Sequence, residues 1–470
     1  MMRVRIGITA GVLLLGGLVA SSHQASTTVG ADRVSTENGR RHRRRIGVPR
    51  TTVPPVGAPT TVPQVTSVPS TTGPTSAPPT AAPPTVTPPT SPPAPTTTRA
   101  STATTAPAAT TTAATTATSA PPPPVSNPLP AIAVGVWQQV TPPSISNGVN
   151  GANNFGMQAM ASSASDPRVV YVGTSYQGIW RTTDAGVSWR KVNTGSNGAN
   201  LETGRNWTMA VDPTNANIVY TAAGYGNGQG LWKSVDGGMN WAQMLPAGVL
   251  SQTTADIYSV AIDPTNGRHL LVGSHGPWAG NTDAGVLEST DGGANWIVHR
   301  AGGSWGWGHY VFFIDSTTWL VATQGSGYWR GTNSGASWTK VASENMTHGG
   351  GALYKAANGV LYAGASNTVL RSTNGGASWT RVGPQMQDGY YAIVSDGARM
   401  YIQSGNTGGN TLDPDPPYYT SPENDGQTWT ALNPGGPFPS NGPMSMVYDP
   451  VNKIILSANW LAGVWRYKVA

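Results

Sequence analysis

The 470-residue chain contains no cysteine, so neither a disulfide nor a thiolate metal site is available to it. Stability must come from buried apolar surface alone. Phenylalanine is scarce, with four Phe against 17 Trp and 16 Tyr, so almost every aromatic side chain carries a polar tip. Long apolar runs are missing after residue 20, and the run at residues 6–20 is too short for a comfortable membrane span. Acidic residues are nearly absent from the first 134 positions, which hold two of the 21, whereas 10 of the 27 basic residues lie there. The net charge of +6 therefore belongs to the leading segment, and the remainder is slightly acidic. That distribution removes the main support for nucleic-acid binding by the folded part.

What is present first is a leader. Arg3 and Arg5 precede the apolar run and small residues follow it, so residues 1–25 are expected to be a secretory signal and the mature protein secreted, extracellular or wall-associated. Retention as an N-terminal anchor is the alternative. Residues 26–50 form a basic segment around Arg40-Arg41-His42-Arg43-Arg44-Arg45, whose plain reading is a solvated tail. Residues 51–130 are Thr, Pro, Ala, Ser and Val, with Arg99 the one charge and no aromatic residue. Such a composition cannot bury a core, and a disordered, partly polyproline tether is expected.

From residue 135 to 470 the chain is organised by a repeated box. Ser289-Thr290-Asp291-Gly292-Gly293-Ala294-Asn295-Trp296 has near copies ending at Trp189 and Trp241, and three more with Asn333, Asn374 or Asn424 in place of Asp, ending at Trp338, Trp379 and Trp429. Each reads as a tight turn in which a short polar side chain accepts backbone N–H bonds and Gly takes positive φ. Since Asn keeps the turn but loses the charge, the carboxylate is structural. Around each box the pattern repeats: an apolar strand, an Asp-containing turn, a second strand, a Gly-hydrophobic-Trp strand, the box, and a fourth strand. Four short strands per unit without a helical pattern is a propeller blade.

Trp137 matches the start of a fourth strand with no box before it, and Gly463-Val464-Trp465-Arg466 matches a third strand at the chain's end. The early strand is thus expected to complete the last blade as velcro closure. Trp137 and the six box Trp residues count seven blades, at spacings of 52, 52, 55, 42, 41 and 50 residues, with six or eight blades as alternatives. The expectation is an all-β, seven-bladed β-propeller over residues 135–470.

The boxes match the Asp-box (BNR) repeat, and the chain resembles sialidase-superfamily and xyloglucanase-type propellers. The resemblance implies the propeller fold strongly and an activity weakly, since the box occurs in hydrolases, lectin-like binders and assembly factors. A sialidase would need three Arg residues for its substrate carboxylate, a Tyr-Glu pair and an Arg-Ile-Pro motif, and that motif is absent. Xyloglucanase-type enzymes place their cleft between two propellers with one catalytic Asp from each, whereas this sequence reads as one ring.

Functional residues are expected on the face opposite the boxes. Asp166, Asp212, Asp263, Asp315, Asp396 and Asp449 sit in turns between first and second strands, which leaves Glu202, Asp256, Asp283, Glu344, Asp388, Asp413 and Asp415 for the open face. Each singly is also what a solvated loop looks like. Asp256 and Asp388 stand out because each precedes an innermost strand, in blades 3 and 6. Two carboxylates across the mouth would suit an inverting hydrolase at a separation of about 6.5–9.5 Å.

Trp207, Trp278, Trp305, Trp307, Trp460, Tyr258 and Tyr390 map to the same face as candidate sugar-stacking rings, with His309, His348 and Arg205 to bind hydroxyls; rim and inter-blade packing is the bland alternative. Trp305-Gly306-Trp307-Gly308-His309 is the densest such stretch. No His-x-x-x-His spacing points to zinc, so no metal or cofactor is expected. The reading is a secreted glycoside hydrolase, monomeric, acting on a neutral polysaccharide or cell-wall glycan. The alternatives are a non-catalytic glycan or protein binder and an extracytoplasmic assembly factor.

Overall fold

A computed structural model describes residues 131–146, 156–278, 283–303, 305–348, 350–383, 389–404, 418–432, 439 and 444–470. The signal, basic segment and tether expected in residues 1–130 lie outside the described residues, as does Asp388. The ring is built from seven four-stranded antiparallel sheets. Blade 1 opens with Met157–Ser163, blade 2 with Arg205–Asp212, blade 3 with Ile257–Asp263, blade 4 with His309–Phe313, blade 5 with Ala352–Lys355, blade 6 with Tyr390–Ser395 and blade 7 with Ser445–Asp449. Opening strands of neighbouring blades pack on one another at every junction except that of blades 4 and 5, which makes them the innermost.

Blade 7 is closed by the early strand Trp137–Gln139, which pairs antiparallel with Val464–Lys468 in the register Trp137–Tyr467 and Gln139–Trp465. Velcro closure covers a strand edge that would otherwise stay open. Two single-turn helices, Gly198–Glu202 and Ala247–Leu250, sit in the connections between blades, which the strand pattern does not anticipate.

The core lies between blades. Tyr171 and Val192 of blade 1 pack with Met209 and Trp232 of blade 2, and Leu271 and Val286 of blade 3 pack with Val311, Trp319 and Val321 of blade 4. Each sheet therefore buries both faces, and flat rings fill the wedge between neighbours.

The boxes behave as capped turns. Asp291 Oδ1 accepts the backbone N–H groups of Ala294 and Asn295, each at 2.9 Å, and Oδ2 accepts Asn295 Nδ2 at 2.6 Å. Asn374 takes the same place in blade 5, accepting Ser378 N–H at 3.0 Å. Two boxes depart from this form. In blade 4 Asn333 and Ser334 themselves have φ of 52° and 53°, and in blade 6 Asp425, one position later than Asn424, accepts Thr428 N–H at 2.8 Å.

The Trp-for-Phe bias has a structural cause. Four of the six box Trp residues return the indole N–H to a box glycine carbonyl, as in Trp241 to Gly238 at 2.7 Å and Trp379 to Gly376 at 3.1 Å, while the indole N–H groups of Trp189 and Trp338 have no partner. Third-strand Trp residues cap the preceding loop, as in Trp232 to Gly228 and Trp465 to Ala462, both at 2.7 Å. Phe fills the same wedge but leaves those carbonyls without a donor.

Candidate functional site

The antiparallel meander puts the boxes and the Asp turns at one end of every blade. The other end carries the loops between second and third strands and the blade-to-blade connections. At that open end four carboxylates are described. Glu202 pairs with Lys191 at 2.8 Å, Asp283 with Arg300 at 3.1 Å and Glu344 with Arg381 at 2.7 Å. Asp256 has a histidine instead: its Oδ2 lies 2.9 Å from His275 Nδ1, while its Oδ1 is buried without a hydrogen-bond partner. The backbone fixes the same pair, because His275 N–H donates to Asp256 C=O at 2.8 Å.

Aromatic and basic groups surround this dyad. His275 stacks on Trp207 with centroids 5.6 Å apart and meets Tyr258 at 4.7 Å, Tyr225 at 5.4 Å and His348 at 5.3 Å. The Arg205 guanidinium lies over Trp207 and over Tyr225, 5.0 Å from each ring. Burial lowers its pKa from the ordinary 12.5. His348 keeps an exposed edge, yet burial among the rings and the nearby His275 bring its pKa down to about 4, so it is neutral at physiological pH.

Depth sorts these residues. Trp207, Tyr258 and His275 are buried and form a floor, while Tyr225, Asp256 and His348 reach the surface. Gly224 closes the floor from below. A Cβ there would fall 2.3 Å from Trp207 Nε1 and 3.0 Å from Asp256 Oδ1, and both of those atoms lack hydrogen-bond partners. Tyr176, Tyr225 and Trp460 follow the second strands of blades 1, 2 and 7 with φ of 62°, 59° and 42°. Bulky side chains seldom adopt the left-handed region, so three at one corner is a concentration of backbone strain around the mouth.

The Trp305-Gly306-Trp307-Gly308-His309 stretch divides. Gly306 has φ of 75° and turns the chain, so that Trp307 is 58% exposed and faces His275 at 6.2 Å. Trp305 is buried against Trp329 and Trp338 and offers no free face to a sugar. His309 is fully buried, its Nδ1 3.1 Å from Ser274 Oγ and its Nε2 3.2 Å from Gly306 C=O, with a pKa near 4 because of burial. It pins the turn that presents Trp307.

Trp278, with Arg300 over its ring, and Trp460, packed on Met444, are both buried. Tyr390 opens the innermost strand of blade 6, and its side chain is outside the described residues. The structure thus gathers Arg205, Trp207, Tyr258, His348 and Trp307 around Asp256 and leaves Trp278, Trp305 and Trp460 in the packing. Sequence reasoning set Tyr225 near the open face and His275 among the mid-domain histidines without giving either a role, and it did not mention Gly224. Their one signal is shared position: Tyr225 and His275 follow the second strands of adjacent blades, and Gly224 precedes one of them.

No family model matches the chain. Two curated relatives are xyloglucanases. That of Hypocrea jecorina is 28% identical over 261 residues, covering 46% of this chain and 30% of that protein. That of a Paenibacillus species is 28% identical over 231 residues, covering 40% and 21%. The matches span less than a third of those relatives' length. Among solved structures, the GH74 xyloglucanase from Xanthomonas campestris superposes with a TM-score of 0.51 at 19% identity, over 70% of this chain and 53% of that one.

The ring is a propeller similar to xyloglucanases. Among the described residues no group of three or more His, Asp or Glu side chains is arranged to hold a metal ion, and no helix is long and apolar enough to cross a membrane. Chemically, the arrangement offers an acceptor oxygen on Asp256, an imidazole that orients it, a neutral His348 and an exposed indole face on Trp307.

Proposed function

We propose that the chain is a secreted carbohydrate-active propeller that binds a neutral polysaccharide across its open face and hydrolyses it, with Asp256 as one member of a carboxylate pair. The observation that carries this reading is the Asp256–His275 dyad. It is the described open-face carboxylate without a Lys or Arg partner, and it sits in a bed of aromatic rings beside an exposed Trp. With Oδ1 buried in the floor, the carboxylate would exchange a proton with substrate or water through Oδ2, beside His275 Nδ1, as general acid–base chemistry requires. Asp388, on the approach to the innermost strand of blade 6, is the proposed second carboxylate, with Tyr390 beside it for sugar binding.

The similarity to xyloglucanases supports a β-glucan backbone as substrate, and the ion-paired state of the other described open-face carboxylates supports a neutral one. A non-catalytic glycan binder is the second reading. It is favoured by the exposed Trp307 ring together with the ion pairs that occupy Glu202, Asp283 and Glu344.

The test incubates the purified chain with xyloglucan, other neutral wall glycans and an anionic pectin, then measures new reducing ends and retention in affinity gels. Reducing ends from a neutral glycan are the expected result. Retention without product selects the binder. Neither product nor retention discards both readings in favour of a protein partner.

A further inference from the structure

Tyrosines in the packing spend their hydroxyls on the backbone: Tyr171 donates to Ala216 C=O at 2.8 Å, Tyr220 to Gly292 C=O at 3.3 Å and Tyr310 to Trp207 C=O at 3.3 Å. Two tyrosines of the open face do not. Among the described residues neither the Tyr176 nor the Tyr225 hydroxyl has a hydrogen-bond partner, and neither is sealed from solvent. Both side chains are half-buried, so each ring is held while its polar tip stays available. They stand at matching places, just after the second strands of blades 1 and 2, and both backbones are left-handed, with φ of 62° and 59°.

One short segment, Thr203-Gly204-Arg205, fixes both corners. Tyr176 N–H donates to Gly204 C=O at 2.8 Å, and Ser175 bridges Arg205 antiparallel. Gly204 also abuts Tyr225, since a Cβ on that glycine would fall 2.1 Å from the Tyr225 carbonyl oxygen, and a Cβ on Gly226 would fall 1.6 Å from Thr203 C=O. Strained backbone persists only where its surroundings over-determine it, and it clusters at ligand clamps. The Arg205 guanidinium lies 5.0 Å from the Tyr225 ring and close enough to Tyr176 for the two to interact electrostatically. Burial raises the Tyr225 pKa above the ordinary 10 although Arg205 opposes it, so the phenol keeps its proton and can donate. The pair also extends a row: Trp307 faces His275 at 6.2 Å, His275 meets Tyr225 at 5.4 Å, and Tyr225 leads past Arg205 to Tyr176, with Asp256 bonded to His275 in the middle.

We infer that Tyr176 and Tyr225 form a glycan subsite beside the Asp256 mouth, so that a β-glucan chain runs across the open face from Trp307, over Asp256, to blade 1. This rests on the carbohydrate-binding reading above and gives the bound chain its direction. At one end an indole stacks on a sugar ring; at the other, two phenols beside a guanidinium donate to sugar oxygens. The contacts are spread over the open-face loops of blades 1, 2 and 3 and the connection into blade 4. Binding should therefore strengthen with the length of the glycan, which a pocket for one sugar would not show.

Calorimetric titration of the full chain with β-glucan oligosaccharides of two, four and six backbone residues, with and without xylosyl branches, tests it on wild type, Tyr176→Phe and Tyr225→Phe. Wild-type affinity should rise with length. Each Phe variant should weaken binding of the longest oligosaccharide by about fivefold, the usual worth of one hydrogen bond. Tyr176→Phe should leave the shortest one unaffected, a length dependence that a merely structural tyrosine would not produce. Tm should not change, because Phe keeps the ring and its packing. If Tyr225→Phe does not fold, Tyr176→Phe carries the same expectation. Affinity that does not rise with length, or that rises equally in wild type and both variants, overturns the inference and leaves the hydrolase reading standing. Absence of binding to every oligosaccharide overturns both. Length-dependent binding that the variants lose, without release of reducing ends, supports the subsite and counts against hydrolysis alone.

Discussion

On the box face Asp291 accepts two backbone N–H groups, a side-chain amide and the Ser289 hydroxyl, whereas on the open face Asp256 holds one oxygen against His275 and leaves the other unpartnered. Glu288, near the box face, is likewise saturated, bridging His269 at 2.8 Å and His299 at 2.7 Å. Those hydrogen bonds hold its pKa below the usual value against the opposing effect of burial. The carboxylates near the boxes are thus saturated by local bonds, while Asp256 on the open face keeps one oxygen without a partner. A carboxylate whose acceptors are all filled has nothing left to offer a substrate. Partner count, more than burial or exposure, separates the two ends.

The sharpest test of that contrast is Asp256→Asn. Reducing-end release should fall by about 100- to 10,000-fold, the usual contribution of general acid–base catalysis, with polysaccharide retention preserved. Equal loss of binding and turnover would make Asp256 a structural residue like those of the boxes. At the other end Glu288→Ala should lower stability by roughly 3 kcal/mol in urea unfolding, because the buried His269 and the half-buried His299 lose a shared partner, and turnover of the folded fraction should not change.

Gly224→Ala should cost about 2 kcal/mol and lower turnover as well, since the new methyl meets Trp207 and Asp256 together. A stability loss with normal kinetics would break the link between floor and mouth. Trp307→Ala should weaken polysaccharide binding roughly tenfold, a stacking contribution of about 1.4 kcal/mol, and leave Tm unaltered because the ring is mostly exposed.

The smallest effects concern acid. His309 is held near pKa 4 against an ordinary 6.5, so the fold favours its neutral form; its contribution is complete above pH 6.5 and declines towards pH 4. Asp291, lowered to about 2 by its hydrogen bonds, contributes above about 3.8 and loses that contribution only as pH falls towards 2. Tm should therefore drop from pH 7 to 4 and drop again below pH 4. Asp291→Asn should leave Tm at pH 7 nearly unchanged, as Asn374 makes the equivalent bonds in blade 5, and should blunt only the second drop. A protein that gains stability on acidification would contradict both assignments.

The boxes were legible in the sequence because their chemistry is local: Ser289, Asp291, Gly293 and Trp296 bond to one another within eight residues. The place of Asp256 before an innermost strand was legible for the same reason. Its partner was not, since His275 lies on another loop of the blade. The Trp and Tyr residues were the least readable. Trp305 and Trp307 are two positions apart in like surroundings, yet the turn at Gly306 sends one inward and one outward.

By itself the sequence pointed to seven blades, with six or eight as alternatives, to the closure of blade 7 and to box carboxylates spent on structure, because each is read from one unit repeated along the chain. Only the tertiary structure decided which rings line the mouth and which carboxylate is left without a cationic partner. Those features arise where residues from different blades converge, and a single chain read in order carries no record of which distant side chains will face one another.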